Sequence, residues 1–96
     1  MPIVAVFEFP GEDIAKYRKV FEAGGTPITN QPSRLSHICY QHDGGFTVVD
    51  VWTDEASFAA FGEVIGPATM QAGLDAKPSV HRLEATISQS GEWTTY

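Results

Sequence analysis

VVDVWTDEASF, residues 48–58, is the stretch on which the fold turns. It completes a run of β-branched and aromatic residues that begins at Phe46 and ends at Thr53, the clearest strand in the chain. Asp54 follows as a helix N-cap, with Glu55 in the first turn, where the helix dipole favours negative charge. Phe58, Phe61 and Ile65 then recur at helical spacing and predict an apolar stripe on one helix face. Gly66-Pro67 predicts a kink or restart, because proline fits a first turn and not a helix interior. A short second helical piece over residues 68–72 closes at Gly73.

Upstream of this stretch, Asp43-Gly44-Gly45 is a hairpin signal, and residues 35–42 are its other, β-compatible arm. Residues 26–33 carry two prolines, an asparagine and a glutamine, which predicts a loop. Residues 1–9 hold a continuous apolar run, expected of a strand covered on both faces. Pro10 and Gly11 stop that strand. Glu12 and Asp13 open a helix in which Ile14, Tyr17 and Phe21 share one face, and Gly24-Gly25 end it. After Pro78, residues 80–87 predict a last strand.

The expected division is one domain over residues 1–88 and a polar C-terminal tail over residues 89–96, the latter carrying Trp93 and Tyr96. The order is βαββαβ, the ferredoxin-like arrangement: an α+β fold with a four-stranded antiparallel sheet. Helices cover one sheet face. Whichever parity faces outward, strands one and three place Val or Phe on the other face, so a sheet-to-sheet homodimer is expected. A monomer with a few exposed aliphatic residues is the plainer alternative.

Composition narrows the function classes. A chain of 96 residues has room for one thin core, and 43% apolar residues argue against disorder. Twelve acidic residues against six basic ones give a formal charge of −6, which disfavours nucleic acid and anionic membranes as partners. Cys39 is the only cysteine, so neither an internal disulfide nor a Cys-rich zinc site is available. Residues 3–7 are too short for a signal-peptide core and no run approaches a membrane span, which makes a cytoplasmic location the expectation. No phosphate loop, metal motif or nucleophile elbow is present, so no metal and no cofactor is expected.

The hairpin supplies the one geometric candidate. With Asp43-Gly44 as a two-residue type I′ turn, facing positions sum to 87. His37 then faces Asp50, Cys39 faces Val48, Gln41 faces Phe46, and Leu35 faces Trp52. His37 and Asp50 would be the catalytic pair, the carboxylate fixing the tautomer of an imidazole that acts as base or acid. A Gly44-Gly45 turn would instead set Cys39 opposite Asp50 and His37 opposite Trp52. A three-residue loop would put His37 and Asp50 on opposite faces.

Plainer readings stand beside each candidate. Asp50 could form a structural ion pair with Arg34 or Arg82, or a polar contact across a dimer. His37 could be a satisfied core histidine. Tyr17, Trp52, Phe58 and Phe61, with Cys39 beside them, are either ordinary core or the walls of a pocket for a planar ligand, and the plainer reading of Cys39 is a buried small residue. His42 beside the turn is expected to be merely exposed, and His81 on the last strand could line a pocket or an interface.

The strand ending in Trp52, the acidic cap and the aromatic-rich helix, together with Gly66-Pro67 and the late strand after Pro78, resemble the dimeric α/β-barrel superfamily. That group includes antibiotic-biosynthesis monooxygenases, haem-degrading monooxygenases and polyketide cyclases. The resemblance spans about residues 2–87. It implies a homodimer whose two sheets form a shared barrel, a hydrophobic pocket between sheet and helices, and chemistry that often needs no cofactor. Many monooxygenase members carry a histidine in the helix after the tryptophan. This chain has Phe61 and no histidine from Thr53 to Ser79, which argues against haem ligation and against the usual monooxygenase assignment. Two functions from different classes follow. One is cofactor-independent acid–base or oxygenase chemistry on a small aromatic or polyketide-like compound. The other is a non-catalytic dimer that binds a small ligand or serves a structural role.

Overall fold

The computed structural model describes residues 1–75 and 78–96 of the chain. The first strand, β1 (Ile3–Pro10), leads into helix α1 (Ile14–Gly24) and a single helical turn, α2 (Thr26–Thr29). The hairpin β2 (Arg34–His42) and β3 (Gly45–Trp52) follows, then helix α3 (Glu55–Gln71) and strand β4 (Ser79–Arg82). Two short strands, β5 (Ala85–Ile87) and β6 (Trp93–Thr95), close the chain. The main sheet is antiparallel in the order β2-β3-β1-β4, which makes the expected α+β, ferredoxin-like fold.

Local chemistry sets the helix ends. Asp13 caps α1 by accepting from the Ala15 N–H at 2.8 Å, and Asp54 caps α3 by accepting from the Ser57 N–H at 2.7 Å. The Asp54 carboxyl is held below its usual pKa range chiefly by that backbone N–H. Gly25, at φ 64°, ends α1 and returns its N–H to the Phe21 carbonyl.

One sheet face packs on the helices. It carries Ile3, Ala5, Phe7 and Phe9 from β1 and Phe46, Val48, Asp50 and Trp52 from β3, in facing register. Phe46 and Trp52 are fully buried. They belong to two apolar clusters, one around Phe9, Tyr17 and Val20 and the other around Ile3, Ile28 and Phe61, which meet at Phe7, Phe21, Ile65 and Ala68. The opposite face, covered by no helix, presents Val4, Val6, Val49 and Val51 half-buried and Ile38 and Tyr40 exposed.

The structure departs from the sequence reading in six places. The β2–β3 register sums to 87 as expected, but Asp43 and Gly44 both keep negative φ, so the turn is not type I′. Gly45 takes the unusual conformation instead, at φ 132°, where an added Cβ would stand 2.1 Å from the Phe9 carbonyl oxygen. Leu35 does not face Trp52. A bulge between Arg34 and Ser36 pairs Arg34 with Trp52 and leaves Leu35 exposed. Helix α3 runs through Gly66-Pro67 without a break, and part of the expected loop at residues 26–33 forms α2. The last strand divides into β4 and β5, and part of the expected tail pairs with β5 as β6.

Candidate functional site

Strand period two puts Asp50 and Trp52 on the same face, and the hairpin register puts His37 beside Asp50. His37 Nδ1 is hydrogen-bonded to Asp50 Oδ1. The Trp52 indole N–H, 3.2 Å away, donates to Asp50 Oδ2. From helix α1, the Tyr17 hydroxyl lies 3.4 Å from His37 Nε2, and the two rings stack with an interplanar angle of 14°. Four side chains from three elements thus form one chain of polar contacts, Tyr17–His37–Asp50–Trp52, beneath the helices.

Asp50 is only 2% exposed. A carboxylate so buried must be paired, and both of its oxygens are. The candidate ion pairs with arginine do not form. Arg34 donates to the Ile28 and Thr29 carbonyls and lies over the Trp52 and Phe61 rings, while Arg82 donates to the Tyr96 carbonyl. Burial pushes the Tyr17 phenol well above its ordinary pKa, and the negative charge of Asp50 adds to the effect.

Between the sheet and α3 lies a cavity of about 320 Å³, the size range of small-molecule sites. Its walls are mainly apolar: Phe7 and Phe9 from the sheet, and Phe58, Phe61 and Ile65 from α3. Tyr17, Asp50, Thr69 and Asp75 line it too.

Of the residues expected to form a pocket, Tyr17, Phe58 and Phe61 do line the cavity. Trp52 does not; it is sealed beneath Phe58 and Phe61 and contributes through its N–H to Asp50. Cys39 is also outside the walls. It packs half-buried against the cluster around Phe9 and Tyr17, and burial raises its thiol pKa. His37 belongs to the polar chain but is not among the lining residues described; it contacts two that are, Tyr17 and Asp50.

Sequence reasoning missed Phe7, Ile65, Thr69 and Asp75 as lining residues, and also the bond from Trp52 to Asp50. The i, i+2 spacing in a strand could have revealed that bond. His42, exposed as expected, also bonds Thr47 Oγ1 at 2.9 Å on the outer sheet face. His81 lies on that same outer side, opposite Val4. Among the described residues no cluster suited to a metal ion occurs, and no helix is long and apolar enough to cross a membrane.

No protein-family model matches the sequence, and no curated protein matches it significantly. Solved structures do. SnoaB, a cofactor-independent oxygenase from Streptomyces nogalater, superposes with a TM-score of 0.60 at 19% identity, over 92% of this chain and 96% of that one. Rv0793 from Mycobacterium tuberculosis gives a TM-score of 0.68 at 17% identity, over 92% and 100%. A candidate monooxygenase from Shewanella loihica gives 0.61 at 23% identity, over 88% and 96%. The chain therefore shares the fold of SnoaB, Rv0793 and the Shewanella loihica protein.

Proposed function

We propose that this protein is a cofactor-independent enzyme that performs acid–base or oxygenase chemistry on a small aromatic or polyketide-like compound held in the helix-side cavity. The observation that carries this reading is an apolar cavity whose wall includes Tyr17 and Asp50, both bonded to His37. Apolar walls take up a planar ring, and the imidazole–carboxylate pair supplies a base. Removing a phenolic or enolic proton makes the ring electron-rich, the form in which such compounds react with dioxygen unaided. The likeness to SnoaB, itself named a cofactor-independent oxygenase, supports the oxygenase form of this chemistry.

The test is oxygen uptake and product mass with a panel of hydroxylated two- and three-ring aromatics. Turnover by the native protein is expected, with a loss of about a hundredfold or more in His37→Ala. No turnover across the panel, or equal turnover by the variant, would contradict the proposal.

The same reading makes the working form a homodimer through the sheet. The helix-free face supports this, with its four valines and with Ile38 and Tyr40 open to solvent in one chain. Light scattering at micromolar concentration should show twice the 10.4 kDa chain mass, and Val49→Lys should shift it toward one. A 10.4 kDa species in the native protein would remove the dimer.

A further inference from the structure

The polar chain has a direction, and Trp52 sets it. An indole N–H can only donate, so Asp50 Oδ2 is an acceptor. At the other oxygen, a carboxylate can only accept, so His37 Nδ1 carries the proton and donates it to Asp50 Oδ1. His37 Nε2 is then left with its lone pair facing the Tyr17 hydroxyl, and the hydroxyl must be the donor. The Tyr17 ring is held in place by Phe9, Phe21 and Phe46, with centroids 5.0–6.0 Å away. Tyr17 lines the cavity, whereas the His37 side chain is 25% exposed and is not among the lining residues.

We infer that Tyr17 and His37 form a two-step proton relay from the cavity to the surface, so that the group touching the ligand is the Tyr17 hydroxyl and the ligand is a planar ring bearing an acidic hydroxyl, a phenol or an enol. This rests on the reading of the cavity as the ligand site. The ligand O–H breaks as its proton bonds to Tyr17 Oη, while the proton Tyr17 already held passes to His37 Nε2. The products are a ligand oxyanion, a neutral tyrosine and an imidazolium held against the Asp50 carboxylate. Burial of Tyr17 suits this role: its phenol resists standing as an anion, so the proton passes through it. His37 then acts through Tyr17, as the store from which the proton leaves to water.

The probe is 4-nitrophenol, whose ionisation is read by absorbance, added to the native protein, Tyr17→Phe and His37→Gln. Binding is followed separately by NMR shifts at Phe58 and Ile65. The ionisation midpoint of the bound probe is expected to lie about one pH unit or more lower in the native protein than in either variant. The 15N shifts of His37 should become those of imidazolium when the native protein binds. Binding to all three proteins with one common midpoint would overturn the relay and leave the cavity reading standing. If His37→Gln kept the native midpoint, the relay would likewise fall. Absence of binding to any of them would remove the cavity reading, and the relay with it.

Discussion

Replacing Asp50 in two ways separates what it does for stability from what it does for proton position. Asp50→Ala leaves the Trp52 indole N–H, in a residue with no exposed surface, without an acceptor. A stranded buried donor costs about 1–3 kcal/mol, and the small void adds to it, giving a total of about 2–4 kcal/mol. For a domain of this length that is a fall in melting temperature of roughly 10–25 °C. Asp50→Asn behaves differently. Its amide oxygen can take the Trp52 N–H, so stability should stay within about 1 kcal/mol of native. The amide NH2 must then face His37 Nδ1, which becomes the acceptor and moves the ring proton to Nε2. The opposite amide orientation would set a donor against the Trp52 N–H. The relay is thus reversed in a folded protein: Nε2 can no longer receive the Tyr17 proton, and a loss on the order of 10³–10⁴-fold in turnover is expected. Thermal unfolding at matched protein concentration gives the first quantity, and 15N spectra of the His37 ring give the second. Equal destabilisation by both variants, or an unmoved proton in Asp50→Asn, would refute the reasoning.

Three further outcomes follow from named contacts. Gly45→Ala places a Cβ 2.1 Å from the Phe9 carbonyl at φ 132°, so urea unfolding should show a loss of about 2 kcal/mol or more. Gly62, which lines the cavity on α3 with open space around an added Cβ, should stabilise the protein by about 0.5–1 kcal/mol when changed to Ala, while weakening ligand uptake by titration. Tyr17 supplies a pH dependence. Its pKa is raised on folding, so its contribution is intact below the unfolded value of 10.0 and declines above it. Stability should fall by up to about 1.4 kcal/mol per pH unit in that range, and Tyr17→Phe should flatten this slope. An unchanged slope would show that Tyr17 does not titrate on unfolding.

The elements legible in the sequence were those with a local cause. Asp54 as a cap, Gly25 as a stop and the period-two run ending at Trp52 each fix their structure within a few residues. The hairpin register followed as well, because a two-residue loop of Asp43 and Gly44 leaves one pairing. Its turn type did not, since the positive φ moved to Gly45, where the end of β1 crowds the strand. The bulge at Leu35 has a non-local cause. It brings Arg34 over Trp52 and Phe61 and onto the carbonyls of α2, contacts that involve three separate elements. The bond between Tyr17 and His37 was hidden for the same reason: it depends on where α1 crosses the sheet. In the C-terminal segment, Trp93, Thr94 and Thr95 carried a strand signal that the surrounding serines and glycine obscured.

The most direct test is a crystal structure of the protein with a hydroxylated planar aromatic bound. The ring should lie between Phe7 and Ile65, with its hydroxyl within hydrogen-bonding distance of Tyr17 Oη. A ring bound on the outer sheet face, with the cavity closed by its own aromatic side chains, would contradict the account.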